Sequence, residues 1–235
     1  MQSLLMGGQA CVIYGGAEFS RDTDLALLSD PDNLSRFTRA TAELQAEPIA
    51  VPSFDKSFLD AGLAVHFRCY HPEAHGLRID VMTKMRGLDS FKLLWQRRTS
   101  RVLDPELTVE LLSLHDLVQS KKTQRDKDWP MLRRLLEADY FSTSSEQLNA
   151  EKIEFWLREL RTPQLLVELT DRQRRVAEGL LHVRPLLRPA IDRDIPALEH
   201  RLQEEMEHEI RLDQEYWAPL RRQLEQLRRS SRTAR

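Results

Sequence analysis

Two aspartates one residue apart, Asp22 and Asp24 in "SRDTDLALL" (Ser20–Leu28), stand just before an apolar run. In a strand, alternate side chains point the same way. The two carboxylates would project together, with Leu25 and Leu27 turned to the opposite, buried side. Carboxylates held a few ångströms apart repel unless a cation lies between them. Hard oxygens of this kind suit Mg²⁺, which is usually held by one or two carboxylates plus substrate phosphates. The plain alternative is that Asp22 closes a turn and Asp24 is solvated. A third carboxylate, Asp80 in "LRIDVM" (Leu77–Met82), is flanked by Ile79 and Val81. A charge inside an apolar strand is costly unless it is paired or bound to metal. Arg78 or a nearby turn could satisfy it. If its strand lies beside "TDLALL", the three carboxylates could instead hold one or two Mg²⁺ ions of the kind used in phosphoryl or nucleotidyl transfer.

The elements that must position these residues follow from local pattern. "SLLM" (Ser3–Met6) reads as a short strand ending at Gly7-Gly8, and "QACVIY" as a short helix closed by Gly15-Gly16. Glycine lets backbone approach a ligand, and a helix N-terminus offers N–H groups to phosphate. By itself, Gly-Gly is more often only a turn. "DPDNLSRFTRATAEL" predicts a capped amphipathic helix, with Leu34, Phe37, Ala40 and Leu44 at helical spacing. "LAVHFRCY" and "LRIDVM" alternate around the turn "HPEAHG" and predict a hairpin. "LLSLHDLVQSKKTQ" predicts a helix with Ser113 as N-cap and Asp116 at N3, and "KDWPMLRRLLEADY" a second with Pro130 in its first turn. After the polar linker "FSTSSE" the chain is helical. "DIPALEHRLQEEMEHEIRLDQEYWAPLRRQLEQLRR" predicts one long helix broken or kinked near Pro219, with the basic end "RRSSRTAR" frayed.

Composition narrows the class. The chain has 235 residues, 41% hydrophobic and 31% charged, enough for a packed core of roughly 100–150 residues plus a second element. A net charge of −2 gives no global basic field to draw the chain to nucleic acid. Two cysteines without pair spacing, Cys11 and Cys69, predict a reduced, cytoplasmic protein. The start carries no signal-peptide pattern, and no stretch approaches the roughly 18 apolar residues of a membrane span. His66, His71 and His75 with Cys69 match no standard zinc spacing and predict solvated turn histidines. His200 and His208 lie among glutamates and predict a solvated face. Trp156 and Trp217, with leucine neighbours, predict core or interface anchors. The acidic stretch "EEMEHE" also predicts a solvated face. The six arginines after Leu220 could touch RNA phosphates, but pairing with that stretch or free solvation is the preferred expectation.

"LLMGGQACVIYGGAEFSRDTDLAL" followed by "RIDVM" resembles the nucleotidyltransferase superfamily, with the DNA polymerase β-like fold. Its pattern is an apolar strand, Gly-Gly or Gly-Ser, a short helix, Asp-x-Asp on the next strand and a third Asp on a later one. Ser20 and Arg21 occupy the Thr/Ser-Arg positions that often precede the aspartates. "LLSLHDLVQSKKTQRDKDWPML" is similar to the segment of small prokaryotic members, including AbiEii-type abortive-infection toxins, that carries Lys, Arg and a basic-Asp pair. Lys121, Arg125, Lys127 and Asp128 match that order. Lys121 and Arg125, four apart, would share a helix face. The resemblance covers about residues 1–140. Two departures stand out: Thr23 replaces the usual Ile or Leu, and the first strand begins almost at Met1, where relatives have a preceding helix. Either the chain starts late or the C-terminal helices supply that support.

The resemblance implies an α+β fold: a small mixed β-sheet nucleotidyltransferase core with flanking helices over residues 1–140, and an all-helical C-terminal region over 141–235. It implies a nucleoside triphosphate as substrate and one or two Mg²⁺ ions as cofactor. Asp22 and Asp24 would hold Mg²⁺, and Asp80 would bind a second ion or act as general base. Gly7, Gly8, Ser20 and Arg21 would lie along the phosphates, Lys121, Arg125 and Lys127 would stabilise their charge, and Asp128 would orient one of those cations. The acceptor would be tRNA, a protein side chain or a small molecule. A toxin role implies an antitoxin partner. The alternatives are a non-catalytic nucleotide- or partner-binding protein that kept the fold, and a glycosyltransferase with an Asp-x-Asp metal site, which the short chain and early Gly-Gly disfavour.

Overall fold

A computed structural model describes residues 1–233, with side chains to Ser230. The chain forms two compact units. The first comprises Met1–Ile13, Ala17–Ser120 and the chain from Gln214 onward; the second comprises Tyr14–Gly16 and Lys121–Asp213.

In chain order the first unit contains β1 (Ser3–Met6), α1 (Gly7–Ile13), β2 (Asp22–Leu27), α2 (Pro31–Glu43), β3 (Ala46–Pro48) and α3 (Lys56–Asp60). Then follow β4 (Val65–Cys69), β5 (Arg78–Met82), α4 (Phe91–Gln96), β6 (Thr99–Asp104), β7 (Leu107–Leu111) and α5 (Leu114–Ser120). The strands form one mixed sheet in the order β3-β4-β5-β2-β1-β7-β6, so the α+β class expected from the sequence holds. β1 and β2 pair antiparallel, β4 and β5 form the expected antiparallel hairpin, and β2 lies parallel to β5. That parallel pair is non-local, and no turn signal between its strands could have announced it.

Alternation divides the residues between the two faces of the sheet. Leu27, Val65, Phe67, Cys69, Ile79 and Val81 bury one face beneath Leu34 and Phe37 of α2 and Leu59 of α3, with Leu25 partly buried against them. The rings of Phe37, Phe54 and Phe67 meet at 5.1–5.6 Å between centroids. Each large apolar side chain buried this way contributes about 2 kcal/mol. α2 starts where Asp30 accepts hydrogen bonds from the backbone N–H groups of Asp32 and Asn33, with Pro31 as its first residue. Before α5, Ser113 Oγ accepts from the Asp116 backbone N–H at 3.2 Å and donates to its carboxylate at 2.7 Å. The β6–β7 edge hairpin was not legible in the sequence: β6 is exposed along most of its length, so no one-sided apolar alternation marks it.

The second unit is helical: α6 (Asp128–Ser142), α7 (Ala150–Glu159), α8 (Pro163–Arg172), α9 (Arg174–Gly179), α10 (Leu187–Ile191) and the first part of α11 (Ile195–Thr233). Leu132, Leu135, Leu136, Leu157, Leu166, Leu187 and Leu198 are buried. Trp156 joins them, its indole N–H donating to Asp139 at 2.7 Å. The unit holds Gly16 because a Cβ there would lie 2.8 Å from the Leu135 backbone. Arg184, almost fully buried, donates to the carbonyls of Leu157 and Leu160 at the end of α7 and to Glu205 of α11.

Two expectations are corrected. Residues 121–127 are not helical, so Lys121 and Arg125 share no helix face. α11 is not broken at Pro219, which lies inside a continuous helix; the ring removes the N–H that the Glu215 carbonyl would accept, and solvent exposure of that turn tolerates the loss. The helix also runs to Thr233 through most of the end expected to fray, of which the last two residues lie outside the described ones.

Candidate functional site

The parallel register of β2 and β5 aligns Asp24 with Asp80 and Asp22 with Arg78, all on the sheet face opposite the phenylalanine core. The antiparallel register of β4 adds His66 opposite Asp80 and Arg68 opposite Arg78. Three carboxylates and Arg78 thus share one patch of sheet. Asp80 is held by two neighbours. Arg78 donates through Nε to Oδ1 at 2.8 Å and through Nη2 to Oδ2 at 2.9 Å. His66 Nδ1 lies 2.8 Å from Asp80 Oδ1 and 3.1 Å from Arg78 Nη2. That nitrogen donates to the carboxylate when protonated and accepts from the guanidinium when not, so it serves one neighbour at a time.

These contacts set the electrostatics. Burial disfavours the Asp80 carboxylate, but hydrogen bonds from His66 and Arg78, with their charges, outweigh it and hold its pKa below the ordinary aspartate value. The hydrogen bonds to Asp80 raise the Arg78 pKa, against burial, and the charges of Asp22 and Asp24 add to the rise. All three carboxylates therefore act on one guanidinium.

Gly7 and Gly8 are needed here for a reason the sequence did not reveal. Gly7 has φ +66°, and a Cβ on it would lie 1.8 Å from Asp24 Oδ2. A Cβ on Gly8 would lie 2.4 Å from Ser20 Oγ. The paired glycines seat the start of α1 against the side chains of Asp24 and Ser20. Ser20 Oγ donates to the Asp22 carbonyl at 3.2 Å and so shapes the entry into β2. Arg21 is exposed.

Lys121, Arg125, Lys127 and Asp128 belong to the second unit and form a centre of their own. Asp128 is 1% exposed. Its Oδ2 accepts from Thr123 Oγ1 at 2.6 Å and Arg125 Nε at 2.8 Å, and Lys121 Nζ lies 3.5 Å from Oδ1. Lys121 is buried, whereas Arg125 and Lys127 are exposed. Asp128 thus holds the guanidinium of Arg125.

Sequence reasoning missed His66 as part of this patch. It sits on β4, not in a solvated turn, while His71 accepts from the Glu73 backbone N–H within the turn at Pro72–Ala74. The signal was present: a hairpin centred on Glu73 pairs residue 66 with residue 80.

The fit to Mg²⁺ is partial. Asp22 and Asp24 place hard oxygen atoms on one face, and both oxygens of Asp80 contact Arg78 and His66. Among the described residues no group of three His, Cys, Asp or Glu side chains is arranged to hold a metal ion. None of the helices described is long and apolar enough to cross a membrane. No protein-family model matches the sequence, and no curated protein is significantly similar to it.

Proposed function

We propose that the protein transfers a nucleoside monophosphate from a nucleoside triphosphate to a hydroxyl-bearing acceptor, the acceptor oxygen bonding the α-phosphorus as pyrophosphate leaves, with Mg²⁺ as cofactor. The observation that carries this reading is the register of β2 against β5, which puts Asp22, Asp24 and Asp80 on one sheet face. Two carboxylates at i and i+2 with a third across a parallel ladder set like charges side by side, and a divalent cation would relieve their repulsion. Asp22 and Asp24 would hold the ion, which supplies charge neutralisation on the phosphates. Asp80 would take the acceptor proton, with Arg78 and His66 keeping it ionised and oriented. Gly7 and Ser20 hold Asp24 and the start of β2 in place.

A second reading draws on the Asp80 contacts. A carboxylate satisfied by Arg78 and His66 needs no metal, which suits a non-catalytic nucleotide-binding protein. One experiment separates the two. The protein is incubated with Mg²⁺, each labelled nucleoside triphosphate and total tRNA or protein, beside an Asp22→Ala/Asp24→Ala variant. Mg²⁺-dependent label transfer that the variant loses supports transfer. Triphosphate binding without transfer, equal in both proteins and independent of Mg²⁺, supports the binding protein and overturns the enzymatic reading.

A further inference from the structure

The long helix α11 segregates its charge along its length. Between Ile195 and Asp213 it carries Glu199, Glu204, Glu205, Glu207, Glu209 and Asp213 against Arg201 and Arg211. Beyond Gln214 the balance reverses along the sequence: Arg221, Arg222, Arg228, Arg229 and Arg232 outnumber Glu215 and Glu225, and there is no lysine. Pairing of these arginines with the acidic stretch at 204–209 would require a break in the helix. It is continuous from Ile195 to Thr233, and side chains on a helix meet only three or four residues apart.

The basic part is also sorted by face. Tyr216, Trp217, Leu220, Leu224 and Leu227 are half-buried, while Arg221, Arg222, Arg228 and Arg229 are exposed. The arginines form two adjacent pairs seven residues apart, hence two rungs on one stripe about 10.5 Å apart along the axis. Arg221 donates to the Gln214 carbonyl at 3.3 Å, a contact that uses one of its N–H groups. Glu225 lies between the rungs.

From this we infer that the exposed arginine stripe of α11 binds the phosphate backbone of nucleic acid. Three features select this partner. Guanidinium groups match phosphate oxygens bidentately, and the stripe uses arginine throughout. A docking protein needs apolar anchors at the centre of its interface, yet the exposed neighbours here are Glu225, Gln226 and Ser230. A membrane-surface helix needs its apolar face for lipid, yet Trp217, Leu220, Leu224 and Leu227 are already half-buried within the protein. The inference goes beyond nucleotidyl transfer and stands whether or not that reaction occurs.

The test measures fluorescence anisotropy of labelled tRNA and of a single-stranded DNA of equal length, titrated with the full-length protein from about 50 to 200 mM salt. Replacing Arg221, Arg222, Arg228 and Arg229 by Gln is expected to weaken binding of both at least tenfold. The slope of log K against log salt should become shallower by about 3. The matching Arg→Lys variant should keep the slope, and Arg201→Gln/Arg211→Gln should bind like the parent. Thermal melting checks that each variant is folded. No binding by the parent at low salt, an unchanged affinity and slope in the Gln variant, or equally tight binding to polyglutamate or to phosphatidylserine vesicles would overturn the inference.

Discussion

Asp80 and Asp128 are each flanked by two nitrogen-bearing side chains, but their surroundings give them different work. Asp128 lies in the helical unit with 2% of its side chain exposed, and Lys121, Arg125 and Thr123 close on it from the preceding loop. One carboxylate there answers two cations, and the result ties residues 121–127 to the start of α6. Asp80 lies on a strand with 14% of its side chain exposed, and Arg78, its main partner, also feels Asp22 and Asp24. That guanidinium is shared with two further carboxylates. A locked structural aspartate and a candidate chemical one differ less in the kind of partner they have than in whether that partner also feels other carboxylates.

Substitutions should separate the two centres. The largest effect is expected at Asp128. Asp128→Ala leaves Lys121 buried without its counter-charge, so stability should fall by about 3–5 kcal/mol in chemical denaturation; a loss below about 1 kcal/mol would put Asp128 in the same class as Asp80. Next comes Gly7→Ala, which combines positive φ with a Cβ that collides with Asp24, at a cost of about 1–3 kcal/mol. The matched variant Gly7→Ala/Asp24→Gly removes the collision but keeps the φ penalty, and should recover part of that loss.

Acid should then probe Asp80. Its folded pKa is depressed, so its contribution to stability is complete above the unfolded value of about 3.9 and disappears as pH falls through the lower folded value. Glu205 in the helical unit, where burial is outweighed by Arg184 and its neighbours, behaves the same way. Asp80→Asn should flatten the acid limb of a stability–pH curve, and Glu205→Gln should flatten it separately; an acid limb unchanged by Asp80→Asn would show that its partners hold it no better than water does. The smallest effect is expected at Asp22. Asp22→Asn should change stability without metal by no more than about 0.5 kcal/mol, because the like-charge crowding it relieves and the attraction to Arg78 it removes offset each other. In the parent, Mg²⁺ at millimolar concentration should raise the melting temperature, and Asp22→Asn should abolish that rise. A rise of equal size in the variant would remove Asp22 from the metal site.

Particular residues show what was readable. The strands carrying Asp22, Asp24 and Asp80 were legible because a period of two survives in a short stretch, and so was the α2 cap, because Asp30 and Pro31 act within their own turn. The reason for Gly7-Gly8 was not legible. It depends on the side chains of Ser20, 12 residues after Gly8, and of Asp24, 17 residues after Gly7. Nor was the loop at 121–127 legible: its helix-compatible residues gave way to the capture of Arg125 and Lys121 by Asp128.

The amino-acid sequence by itself determined the elements, their apolar faces, the one-sided placement of the two β2 aspartates and the reversal of charge along α11. These rest on periodicity and capping, which act over a few residues. Only the tertiary structure decided that β5 lies parallel to β2 with Asp80 beside Asp24, that Arg78 and His66 claim Asp80, and that the end of α11 returns to the sheet-bearing unit. Those outcomes depend on which distant strands and charges meet once the apolar faces have been buried, and local pattern carries no information about that choice.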